Sequence, residues 1–197
     1  LIEALKDTKT MKNIIVSDIF GRTKVLEKFA SNFSTPTEIF DPYSAVFMAF
    51  ANEQEAYAYF SKHVTLEQYS NRLLNRLQST KSMINLIGFS VGASTIWNIS
   101  NNPSCSNVTS AYCYYGAQIR NNIIVEPTFP VSLIFPASES HFSVSELIDS
   151  LGNKNLVTIR QVSYLHGFMN VHSVNYNQQG YRKEISTLCE MSFNRAL

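Results

Sequence analysis

The segment from Met83 to Ile99 constrains the fold of this chain most. Met83-Ile84-Asn85-Leu86-Ile87 is a short apolar run of strand character, and Ala93-Ser94-Thr95-Ile96-Trp97-Asn98-Ile99 continues as a helix. Between them stands Gly88-Phe89-Ser90-Val91-Gly92, a serine with glycine two residues away on each side. A strand that turns so sharply into a helix brings backbone too close for a β-carbon at the glycines and holds the central serine at strained φ/ψ. The hydroxyl is lifted clear of the sheet edge, which is the presentation a nucleophile needs.

Apolar runs alternate with amphipathic stretches along the rest of the chain. Strands are expected at 13–17, 37–40, 83–88, 109–114, 131–136 and 156–162. Helices are expected at 23–30, with Val25, Leu26 and Phe29 on one face, at 143–151, closed by Gly152, and at 175–195. From 52 to 77 apolar residues recur at three- and four-residue steps, and the N-cap signal Thr65-Leu66-Glu67-Gln68 divides that stretch into two helices. The order predicts an α/β protein: a mostly parallel sheet of about six strands with helices on both faces and minimal or no lid. With 197 residues, 45% of them hydrophobic, the chain suits one domain. Met11 reads as a natural start, which makes residues 1–10 an N-terminal extension ahead of a domain at 11–197.

Sixteen basic and fifteen acidic residues leave a net charge of +1, so the electrostatic source of nucleic-acid binding is missing. The longest apolar stretches are too short to cross a bilayer, and no secretory segment opens the sequence. Cys105, Cys113 and Cys189 are odd in number and lack metal-ligand spacing, which points to a reduced, cytoplasmic setting. No metal or cofactor fingerprint is present.

A serine hydroxyl needs a general base, and the base needs an acid to fix its tautomer. Glu139 falls in the loop after the strand Val131–Phe135, and His166 just beyond the strand that ends near Val162, both at the sheet edge where open α/β folds keep their chemistry. The competing histidines are His141, two residues past Glu139, and His172, expected to begin the last helix. Glu146 and Asp149 read as solvated helix positions, and Glu126 as a loop residue before a strand.

Four segments carry a family resemblance: Asp18-Ile19-Phe20-Gly21, Gly88-Phe89-Ser90-Val91-Gly92, Tyr114-Tyr115-Gly116, and His166-Gly167-Phe168 followed by Tyr176-Asn177. In this order the chain resembles the dienelactone hydrolase-like α/β-hydrolases, over about residues 13 to 190. The resemblance implies Ser90 as nucleophile, His166 as general base, Glu139 as the orienting acid, and the backbone N–H groups of Ile19 and Val91 as the oxyanion hole. Three departures stand out. Dienelactone hydrolases proper carry cysteine where this chain has Ser90, the family usually has Asp where Glu139 stands, and a Glu matches the shorter Asp18. The chain is expected to enter directly at the strand leading to Asp18, without the family's usual N-terminal hairpin, and so to have a smaller sheet at that edge.

The expected activity is that of a serine hydrolase acting on a small-molecule ester, thioester or lactone through an acyl-enzyme. Two alternatives stand beside it, a non-catalytic binding module for a small molecule or protein on the same scaffold, and an acyltransferase using the same residues. Phe20, Phe89, Tyr115 and Phe168 are expected to give the cleft an aromatic lining, and Arg120 to meet an anionic substrate group. Neither a nucleic acid nor a membrane is expected as a partner.

Overall fold

The computed structural model describes residues 10–194, so the expected extension lies, Thr10 apart, outside the described residues. Six strands, β1 (Met11–Val16), β2 (Thr37–Phe40), β3 (Met83–Phe89), β4 (Val108–Tyr114), β5 (Val131–Phe135) and β6 (Val157–Gln161), form one sheet in the order β2-β1-β3-β4-β5-β6. Every pairing is parallel, so all six carboxyl ends meet along one edge.

Side-chain alternation splits the core between the two faces of the sheet. Ile14, Val16, Leu86, Ala111, Cys113, Leu133 and Phe135 face α3 (Leu66–Gln78), α4 (Val91–Ile99) and α5 (Val144–Leu151) through Leu73, Leu77, Ile96, Trp97 and Leu147. Their neighbours Ile15, Ile87, Phe89, Tyr114 and Ile134 face α1 (Lys24–Ala30) and α6 (Gln178–Asn194) through Phe29 and Leu188. Helix α2 (Glu53–His63) buries Ala56 and Phe60 in the first of these clusters. The 52–77 region is therefore part of the body, and only the start of α2 reaches the carboxyl edge.

Local chemistry explains the boundaries. Thr65 caps α3 by accepting from Gln68 N–H, which is the division expected there. The last helix begins at Gln178 instead of 175, because Tyr176 N–H turns back to Ser173 C=O and the Asn177 side chain accepts from Gly180 N–H. His172 accordingly stands in a turn ahead of α6 and does not open it. No helix among the described residues is long and apolar enough to cross a membrane.

Candidate active site

The neighbours β1 and β3 send their following helices to opposite faces, α1 to one and α4 to the other. The loops that leave them diverge and open a crevice at the carboxyl edge, the usual ligand position in doubly wound sheets. Ile19 and Ser90 stand on its two sides.

At the elbow Ser90 has φ 53° and ψ −114°, a conformation few non-glycine residues adopt and one associated with functional sites. The flanking glycines are there for space. A β-carbon on Gly92 would lie 2.1 Å from Val16 C=O, and one on Gly88 would lie 2.8 Å from the Ala93 backbone. Helix α4 thus starts hard against the end of β1, with Val91 at its first position.

The loops after β5 and β6 are tied together by Ala137 N–H donating to Tyr164 C=O at 2.7 Å and by the Gln161 side chain donating to Pro136 and Ala137 carbonyls. This cross-link brings Glu139 beside His166, whose backbone carbonyl is held by Asn175 Nδ2 at 3.0 Å. The Tyr115 ring packs 5.0 Å from the imidazole. Ser90 Oγ lies 3.0 Å from His166 Nε2, and His166 Nδ1 lies 2.7 Å from Glu139 Oε1. A carboxylate only accepts, so Nδ1 carries the proton and Nε2 is left to accept from the serine hydroxyl. The His166 and Glu139 side chains are 22% and 12% exposed, dry enough to strengthen the pair and open enough to admit water.

A cleft of about 710 Å³ surrounds Ser90 and His166. Ile19, Val91, Glu139 and Arg120 line it, together with Glu53, Gln54 and Tyr57 of α2, Gln118, His141, Phe142 and Asn175. Among the described residues the N–H groups of Ile19 and Val91 have no hydrogen-bond partner in the protein. Arg120 donates to Ala117 C=O and lies over the Phe142 ring. His141 lines the cleft without joining the Ser90–His166 pair, and His172 stacks on Phe20.

The aromatic lining expected from the sequence is corrected. Phe89 alternates with Gly88, which must face α4, so its ring points through the sheet to stack with Tyr114 and meet Phe29 edge-on. Phe168 is fully buried and stacked on Tyr164, Tyr115 backs the imidazole, and the Phe20 ring is covered by His172. None of these four lines the cleft. Its aromatic residues are Tyr57 and Phe142, and most of the other residues that line it are polar. The glycine spacing of the elbow already carried the signal for Phe89. Nothing local in the sequence marked Tyr57 or Phe142, which arrive from elements far from Ser90.

No family model matches the chain. Its fold matches an α/β hydrolase domain-containing protein 10 from mouse, at a TM-score of 0.63 with 10% identity over 95% of this chain and 90% of that one. A dienelactone hydrolase from Anabaena variabilis gives a TM-score of 0.62 with 11% identity, over 94% of this chain and 86% of that one. A dienelactone hydrolase-like promiscuous phosphotriesterase from metagenomic libraries gives 0.59 with 10% identity, over 94% and 87%. The fold is that of the dienelactone hydrolase-like α/β-hydrolases, as the four sequence segments imply. The chain belongs to the same family as the uncharacterized protein YczH of Bacillus subtilis, to which it is 37% identical over 139 residues, 69% of this chain and 67% of that one.

Proposed function

We propose that the protein is a serine hydrolase that cleaves a small-molecule ester, thioester or lactone through an acyl-enzyme. The observation that carries this reading is the relay from Ser90 Oγ to His166 Nε2 at 3.0 Å and from His166 Nδ1 to Glu139 Oε1 at 2.7 Å, opening on a cleft. Ser90 Oγ attacks the carbonyl carbon while its proton passes to His166 Nε2. Glu139 holds the ring and stabilises the imidazolium, and the N–H groups of Ile19 and Val91 receive the oxyanion. The tetrahedral adduct collapses, and the leaving oxygen or sulfur departs with the proton from Nε2. Water, activated by the same nitrogen, then attacks the acyl carbon, and the acid leaves as Ser90 regains its proton.

The polar side chains of Arg120, Gln118, Glu53 and Gln54 in the cleft suit a substrate with hydrogen-bonding groups near the scissile bond, and Arg120 suits one that carries an anionic group. The free thiols of Cys105, Cys113 and Cys189 suit a reducing compartment such as the cytoplasm.

The test is turnover of p-nitrophenyl acetate together with labelling by a fluorophosphonate. Ser90→Ala is expected to lower kcat by about 10⁴-fold or more and to abolish labelling. A variant that kept the wild-type rate would sink the assignment, and folded wild-type protein that resisted the label would favour a binding module.

A further inference from the structure

Asp18 stands between the two loops that meet at Ser90. Its Oδ1 accepts from Phe20 N–H at 3.0 Å and its Oδ2 from Asn170 Nδ2 at 2.6 Å. Asn170 belongs to the loop that carries His166, and its own Oδ1 accepts from His172 N–H at 2.9 Å. The His172 ring in turn stacks on Phe20 at a centroid separation of 5.4 Å. A carboxylate bridge and a ring stack therefore join the oxyanion loop to the histidine loop.

The peptide between Asp18 and Ile19 is fixed from the opposite side. Asp18 C=O accepts from Gly21 N–H at 3.1 Å and from the Ser17 hydroxyl at 3.3 Å. In a trans peptide the N–H points away from the C=O, so a carbonyl held inside the loop turns Ile19 N–H outward, toward the cleft that Ile19 lines. The following peptide is held at both ends, since the Tyr43 hydroxyl donates to Ile19 C=O at 2.6 Å while Asp18 Oδ1 takes Phe20 N–H. Rotation of the Asp18–Ile19 peptide by half a turn would put a carbonyl where an oxyanion must bind, and these bonds oppose it.

We infer that Asp18 and Asn170 are positioning residues that lock the oxyanion loop to the histidine loop, keeping Ile19 N–H aimed at the atom that Ser90 attacks. The inference rests on the serine-hydrolase reading of the site. An ionised acid here runs against its surroundings: burial raises the Asp18 carboxyl to about 6, with Glu53 adding to the rise and Phe20 N–H, Asn170 and His166 opposing it. Only the ionised form accepts freely on both oxygens, which an asparagine cannot do. A position of purely structural use would be served more cheaply by a neutral side chain.

Asp18→Asn and Asn170→Ala, singly and combined, test this by kcat and KM for p-nitrophenyl acetate and by the Phe20 backbone amide signal in ¹H–¹⁵N NMR. Each single variant is expected to lower kcat about tenfold to a hundredfold with KM within about threefold, since misaiming a donor costs less than removing it. The urea midpoint of Asp18→Asn at pH 7 should be no lower than that of the wild type, and the double variant no slower than the slower single one. In the wild type the Phe20 amide should shift with a midpoint near pH 6, and Asp18→Asn should abolish the shift. Unchanged kcat in both single variants, losses that multiply in the double variant, or a Phe20 amide indifferent to pH would each overturn the proposal. The NMR measurement needs no turnover, so it decides the brace even if Ser90→Ala shows the hydrolase reading to be wrong.

Discussion

The two ends of the sheet treat polar groups in opposite ways. Toward the amino ends of the strands, Asn13 and Asn85 are buried side by side in β1 and β3. Asn13 Nδ2 donates to Thr37 Oγ1, Asn85 Nδ2 to Asn13 Oδ1, and the hydroxyls of Thr109 and Ser110 both donate to Asn85 Oδ1. This ladder crosses β2, β1, β3 and β4, and each amide finds its partners in neighbouring strands. At the carboxyl end the same strands lead to Ile19 N–H, Val91 N–H and Ser90 Oγ, which face a cleft. One end uses its hydrogen-bonding capacity to fix strand register, and the other turns its polar groups toward the cleft.

Substitutions of the polar side chains at the two ends should therefore separate stability from turnover. Glu139→Gln keeps the shape of the site but places an amide against His166 Nδ1, and kcat should fall about 10³-fold, or about 4 kcal/mol in barrier, with the urea midpoint unchanged. A large loss of stability would show the acid to be structural and break the comparison. Gly92→Ala drives a methyl into Val16 C=O and should cost about 3 kcal/mol in chemical denaturation, because elbow and strand meet there without room. Asn85→Ala, at the other end, strands Asn13 Oδ1 and should cost about 2 kcal/mol, with kcat within about twofold of wild type. If Asn85→Ala slowed turnover while leaving stability intact, the two ends would not be independent.

The smallest effect concerns pH. The Asp18 carboxyl is raised from an ordinary 3.8 to about 6 in the folded protein, so the native state binds its proton more tightly than the unfolded chain does. That contribution is fully present below about pH 4 and is lost as pH rises through 6. Urea midpoints measured at pH 5 and pH 7 should differ less in Asp18→Asn than in the wild type. An equal difference in both proteins would mean that Asp18 does not carry this dependence.

Much of this was legible in the sequence. The six expected strands appeared within one or two residues; in β1, β3, β4 and β5 this follows because a strand buried on both faces leaves little room for polar residues, while the edge strands β2 and β6 are largely unburied. Ser90, Glu139 and His166 could be picked out because each follows a strand, and in a parallel sheet that places all three at one edge. The aromatic wall was misread because a residue's neighbourhood in sequence says little about the face it occupies. Gly88 faces α4, so Phe89 faces α1, one residue from Ser90 and on the opposite side of the sheet. Tyr43 and Asn170, which hold the loop after β1, left no signal, since their partners are backbone groups and side chains from distant parts of the chain.

The separation of Ser90 from His166 by 76 residues, and of Glu139 from His166 by 27, bears on how the chain matures. Contacts over such spans form late, after loop closure has been offset by the packing of intervening elements. During synthesis Ser90 emerges well before His166, and β6 must join the sheet before the two side chains can meet. On the serine-hydrolase reading, reactivity toward a fluorophosphonate is thus expected to switch on only when the final strand docks, and the label becomes a clock for that step of folding.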